Sequence, residues 1–196
     1  MARILDLGCG TGKLPLALHV SGDDEIVGID IDEKKIAMAR HLYPERRFEC
    51  ARGESLPFPD ASFDCIVSSV AVPYMDIPRT LSEVRRVLVP GGKIRFSIHP
   101  PGFTLKELRH CRALLPTLYR LFVLFNGMLF HLSGRTLRVA SRCESFQTER
   151  GMQIALRRAG FIDPVFSRPK GRLLLEARGP VAARAAAPVF VPATAS

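Results

Sequence analysis

Residues 4–13 read Ile4-Leu5-Asp6-Leu7-Gly8-Cys9-Gly10-Thr11-Gly12-Lys13. An apolar lead, interrupted by one acid, runs into three glycines at alternate positions. Leu14, Leu16, Ala17 and Leu18 continue with helical spacing. The pattern predicts a buried strand over 3–7, a tight turn and a helix over 12–20. Alternating glycines permit positive φ and let a ligand approach the backbone closely. A second apolar run, Ile26-Val27-Gly28-Ile29, ends on Asp30, eighteen positions after Gly12. A carboxylate at the tip of such a strand can accept both hydroxyls of a ribose.

Two nucleoside-type ligands fit this outline. The dinucleotide fingerprint is G-x-G-x-x-G, with a pyrophosphate on the helix N-terminus. Here the spacing is G-x-G-x-G, and Asp6 stands two residues before the first glycine. A carboxylate beside the loop repels a pyrophosphate and suits a ligand carrying an ammonium and a sulfonium. The stretch ILDLGCGTG, residues 4–12, closely resembles motif I of the class I S-adenosylmethionine-dependent methyltransferases.

Further along, Asp32 has the place of an N-cap for a helix over 33–42, which Pro44 ends. A strand is expected over 48–51. Glu54 to Asp64 then form a rigid loop with two prolines. A strand over 65–69, a helix over 78–88, a turn at Pro90-Gly91-Gly92 and a strand over 93–98 follow. The spans ESLPFPDASFDCIVSS (54–69) and EVRRVLVPGGKIRFSIH (83–99) resemble the ubiquinone-biosynthesis-like branch, methyltransferase type 11, of the same enzymes. The resemblance covers residues 3–99 well and the remainder in outline.

The resemblance implies a doubly wound α/β fold with a mostly parallel, seven-stranded Rossmann-like sheet, and S-adenosylmethionine as cofactor. It runs Gly8, Cys9 and Gly10 under the methionine part and sets Asp30 on the ribose. Ile31 lies against the adenine, Gly53 and Glu54 flank its edge, and Ser69 offers its backbone to the amino-acid end. Asp6 either favours the ligand's positive charge or only caps the loop amides. The sequence departs from the family at three places. Arg52 stands where an aspartate is common, and Arg cannot accept the adenine amino group. Pro73 and Tyr74 stand where a histidine pair is common, which removes a histidine base. The chain also begins two residues before its first strand, where the family has one or two helices. His99, at the end of the strand over 93–98, is either a base or a structural histidine. Tyr74 is the other catalytic candidate, or it simply lines the pocket. Glu144 and Gln147 lie within reach of the pocket edge.

From Thr104 to Arg142 the chain leaves the common core. Leu114, Leu115, Leu118, Leu121, Phe122, Phe125, Met128, Leu129 and Leu132 form one broad apolar helical face. No run matches the ~18 apolar residues of a membrane span. This insertion is read as a cap over the substrate pocket, with a dimer face or an in-plane membrane helix as alternatives. A helix over 150–159 follows, with Gly160 after its end. A hairpin over 161–167 and 171–178 closes the domain, taken as residues 1–179. Residues 180–196 read as a disordered Ala/Pro-rich tail.

Residues 1–100 carry 13 Lys+Arg against 14 Asp+Glu, and residues 101–196 carry 15 against 5. A basic half can serve nucleic acid, an anionic membrane or an acidic substrate, or be a solvated surface. The five cysteines have no C-x-x-C spacing, so they read as buried free thiols with no metal site. With a strand at the N-terminus no signal peptide is expected, and the reading is cytoplasmic. Transfer of a methyl group to a small or lipid-like acceptor is the expected activity, by a monomer or homodimer without specific nucleic-acid binding. An RNA or protein methyltransferase, or a weakly catalytic partner subunit, are the alternatives.

Overall fold

The computed structural model describes residues 1–13, 24–110, 113–139, 142–169 and 173–181. The helix expected over 12–20 falls on 14–23, outside the described residues, as do 182–196 of the expected tail and the turn at 170–172.

Seven strands form one sheet: β1 (Arg3–Leu7), β2 (Glu25–Asp30), β3 (Arg47–Cys50), β4 (Phe63–Ser69), β5 (Leu88–Ile98), β6 (Ile162–Ser167) and β7 (Leu173–Arg178). Their order is β3-β2-β1-β4-β5-β7-β6. The first five run parallel, and β7 pairs antiparallel with both β5 and β6. β1 is flanked by β2 on one side and β4 on the other, so the winding reverses there. In such sheets the crevice beyond the carboxyl ends at the reversal receives the ligand.

β1 and β2 are buried runs because both faces of a parallel sheet are covered. Leu5, Leu7, Val27, Ile29, Ile66, Ile94 and Phe96 form the centre of the core. On α2 (Ile77–Val87) the buried residues are Ile77, Thr80, Leu81, Val84 and Val87, the spacing of one helical face. On α5 (Glu149–Arg158) they are Gly151, Met152, Ala155 and Leu156. The Asp32 carboxylate accepts from Lys34 and Lys35 N–H and caps α1 (Glu33–Leu42), as the sequence indicates.

Two elements differ from expectation. Pro90-Gly91-Gly92 does not break the chain but lies inside β5 as a bulge. Phe63 pairs with Leu88 and Cys65 with Lys93, and Gly91 at φ +75° takes up the extra residues. Cys50 is exposed rather than buried, because β3 is the sheet edge.

The larger difference is in the insertion, which forms α3 (Pro101–His110) and α4 (Leu114–Ser133). α4 packs against α3 and α5 and buries Val123, Asn126, Gly127 and Phe130, with Phe130 against Gly151 of α5 and Gly127 against Phe146. Asn126 anchors it. Its side-chain amide donates to the carbonyls of Leu137, Cys143 and Glu144, and its Oδ1 accepts the Leu137 N–H at 2.7 Å. By length and composition α4 does reach what a membrane span needs, against the expectation from the sequence.

Candidate active site

The glycine loop leaves β1 with Gly8, Gly10 and Gly12 at φ +76°, +57° and +86°. Gly8 and Cys9 N–H both donate to the Ile29 carbonyl at 2.8 Å, which ties the loop to the end of β2. The Gly10 N–H donates to Asp30 Oδ2 and the Asp32 N–H to Asp30 Oδ1, each at 2.9 Å. Each carboxylate oxygen has two lone pairs, so Asp30 keeps acceptor capacity towards a ligand.

A cavity of about 470 Å³ opens above this loop, the size of a small-molecule site. Gly8, Gly10, Asp30, Ile31, Gly53, Glu54, Ser69 and Tyr74 all line it. Ile29, Lys35, Ala51, Arg52, Val70, Ala71 and Met75 complete it. At Gly8 a Cβ would stand 2.2 Å from the Ala71 Cβ, so this position admits only glycine. At Gly53 a Cβ would stand 2.7 Å from Met75 Sδ, so it fits only if that flexible side chain moves. Ile31 is 60 % exposed, an apolar side chain open on the cavity rim. Val70 holds φ +66°, an outlier for a β-branched residue, directly on the wall.

Asp6 and Cys9 are not on the wall. Asp6 is buried beneath the loop, because it belongs to a central strand. Burial, and next the Asp30 charge, push its carboxyl up to about 7, with Arg46 opposing. The Cys9 side chain turns the other way and packs with Ile36, Ala39 and Phe48. Burial pushes its thiol up to about 12, so it stays protonated and unreactive.

Glu54 is held from three directions. Its Oε1 accepts from the Asp76 N–H and from Arg138, both at 3.1 Å, and Arg52 approaches its Oε2 at 3.6 Å. Arg52 therefore pairs with Glu54 instead of replacing an acceptor.

His99 does not line the cavity but stands beside it. Its ring lies 6.1 Å from Tyr74 and stacks on Phe103 at 4.5 Å. Burial pushes its imidazole below the ordinary value, and the charges of Glu144 and Glu107 oppose this. Gln147 is fully buried and brackets the His99 backbone. Its Oε1 accepts the His99 N–H at 3.0 Å, and its own N–H donates to the His99 carbonyl at 2.8 Å. Glu144 accepts from Tyr119 at 2.5 Å and from Arg120 at 3.2 Å.

The sequence missed Ile29 and Ala51, which it read only as strand residues, and also Lys35, Val70, Ala71 and Met75. Lys35 sits on the polar face of α1, where a cation reads as a solvated residue. Val70, Ala71 and Met75 belong to the turn after β4, and only the reversal of strand order brings that turn against Gly8. No residue of α4 lines this cavity. Among the described residues no cluster of His, Cys, Asp and Glu can hold a metal ion.

The family described as methyltransferase domain matches residues 5–96. A demethylmenaquinone methyltransferase from Thermus thermophilus is 31 % identical over 169 residues, 81 % of this chain and 74 % of that protein. The chain belongs to the class I S-adenosylmethionine-dependent methyltransferases. A malonyl-[acyl-carrier protein] O-methyltransferase from Erwinia pyrifoliae is 38 % identical over 107 residues, 54 % of this chain and 40 % of that protein. The chain spans only 21 % to 44 % of the length of several curated relatives that it matches. A SAM-dependent methyltransferase from Methanosarcina mazei shares the fold. It has a TM-score of 0.62 and 23 % identity, over 92 % of this chain and 93 % of that one.

S-adenosylmethionine is the cofactor of this methyltransferase fold, and the cavity suits it. Asp30 presents unused carboxylate lone pairs, Gly8 leaves backbone bare where any side chain would collide, and Ile31 offers an apolar rim.

Proposed function

We propose that this methyltransferase transfers a methyl group from S-adenosylmethionine to a small or lipid-like acceptor. The observation that carries the reading is the cavity at the strand reversal, lined by the bare Gly8–Gly10 backbone, Asp30 and Tyr74. The Thermus and Erwinia relatives support it, since their names give a demethylmenaquinone and a malonyl-acyl-carrier protein as acceptors.

The bound cofactor supplies a methyl group on a sulfonium, already activated for displacement. The protein's part is to bind, orient and exclude water. Asp30 takes the ribose hydroxyls and holds the Gly10 amide with the same carboxylate. Ile31 covers the adenine, with Gly53 and Glu54 along its edge. Gly8 and Gly10 let the methionine part lie on the backbone, with Ser69 at its amino-acid end. The buried Asp6 carboxyl gains from positive charge in the cavity, because ionisation then costs less. Tyr74 borders the acceptor space. His99, kept neutral by burial, can take a proton from a hydroxyl acceptor.

A thermal-shift titration tests the reading. S-adenosylhomocysteine should raise Tm, because a ligand that binds only the native state stabilises it, and NAD should leave Tm unchanged. Stabilisation by NAD with none by S-adenosylhomocysteine would remove the proposal.

A further inference from the structure

α4 carries two apolar faces. One is buried through Val123, Gly127 and Phe130. The other bears Leu114, Leu118, Leu121, Phe125, Met128 and Leu132, each between 48 % and 73 % exposed. These recur every three or four residues, so they form one stripe along 20 residues of helix. An exposed apolar stripe of this length marks an interaction site.

The charge around the stripe selects its partner. Between Glu107 and Glu144 the chain has six arginines and no acid. Arg109 lies before α4 and Arg135 lies after it, whereas Arg120 is occupied by Glu107 and Glu144 and Arg138 by Glu54. A second copy of the chain fits poorly. A two-fold axis through α4 would set arginine ends against arginine ends with no acid between them. A bilayer with anionic headgroups supplies the opposite charge and an apolar layer together. Crossing that bilayer would tear out Asn126 and its four hydrogen bonds, so the helix must lie in the surface plane.

We propose that the exposed face of α4 docks the protein on an anionic phospholipid surface, with Arg109 and Arg135 on the headgroups. Docking brings the cavity to the membrane. Arg138, one residue from the exposed Leu137 and Val139, is bonded to the cavity carboxylate of Glu54. An acceptor dissolved in the bilayer then has a short path. The docking itself does not depend on methyl transfer.

Co-sedimentation with vesicles of phosphatidylcholine, alone or with one third phosphatidylglycerol, decides the matter. Wild type should bind the mixed vesicles and bind phosphatidylcholine at least about tenfold more weakly. Leu118→Glu with Phe125→Glu should weaken binding to mixed vesicles by roughly tenfold or more. Both side chains are exposed, so the S-adenosylhomocysteine-induced rise in Tm should persist and show that the variant is folded. Arg109→Gln with Arg135→Gln should weaken binding to mixed vesicles only, and it decides the question if the first variant does not fold. Failure of wild type to bind mixed vesicles at low salt overturns the proposal. So does unchanged binding by the glutamate variant, or its conversion of a dimer into a monomer with no vesicle binding by either form.

Discussion

The Asp30 carboxylate receives the Gly10 N–H at 2.9 Å, so the tip of β2 and the glycine loop of β1 are fastened by one side chain. The other oxygen of the same group receives the Asp32 N–H and fixes the start of α1. Asp30→Ala therefore removes a ligand group and two loop anchors at once. We expect S-adenosylhomocysteine affinity to fall by about 1–3 kcal/mol, the cost of unpaired polar groups. Calorimetry on a folded variant checks this, and unchanged affinity removes Asp30 from the site.

Gly8 and Gly10 make a matched pair. Both have positive φ, but a Cβ at Gly8 meets the Ala71 Cβ at 2.2 Å while one at Gly10 meets nothing within 4 Å. Gly10→Ala should cost about 1 kcal/mol of stability from backbone conformation alone. Gly8→Ala should cost several times that and abolish cofactor binding, since the loop and the turn at Ala71 must part. Chemical denaturation and calorimetry of the two variants test the order, and equal costs contradict it.

Asp6 predicts a pH dependence. In the native state its pKa is raised from 3.8 to about 7, first by burial and then by Asp30. Between those values the native state holds a proton that the unfolded state has released. Stability therefore falls as pH rises from 3.8 to about 7, and the penalty is complete above that. Asp6→Asn should flatten that slope and raise Tm at about pH 8. It should also reduce the preference for S-adenosylmethionine over S-adenosylhomocysteine, because only the former carries the sulfonium charge. Melting curves across pH, with calorimetry for both ligands, measure the two effects. A steeper slope in the variant contradicts the assignment.

His99 predicts a split between binding and turnover. Burial lowers its pKa from 6.5, so the imidazole is neutral and able to accept a proton at neutral pH. His99→Asn should leave S-adenosylhomocysteine affinity intact, because His99 does not line the cavity. Turnover of a hydroxyl acceptor should fall by at least about a hundredfold, and the acid limb of the pH profile should vanish. An unchanged pH profile makes His99 a purely structural residue.

The local signals were legible in the chain itself. Glycine spacing marks Gly8 and Gly10 because positive φ is a backbone property that one residue type supplies. Asp30 is marked by its place at the end of an apolar run, and α1 by its Asp32 cap. The strand pattern with its family resemblance implied the doubly wound sheet. These features depend on neighbours within a few residues, so the order of the chain carries them.

What depends on distant residues became visible only in three dimensions. Cys9 sits between two wall glycines, yet its side chain belongs with Phe48, because packing decides which side of a loop a thiol takes. Val70, Ala71 and Met75 join the cavity because β4 lies beside β1. Gln147 reaches the His99 backbone across 48 residues. The apolar run of 114–132 announced a helix with a face to cover, and its place after β5 suggested a cap over the pocket. Asn126 fixes how that helix is turned. Its hydrogen bonds to the 137–144 segment turn one stripe of α4 to the core and leave the other outward. Hydrophobic period identifies a face, but only the long-range hydrogen bonds of a buried polar group fix where that face points.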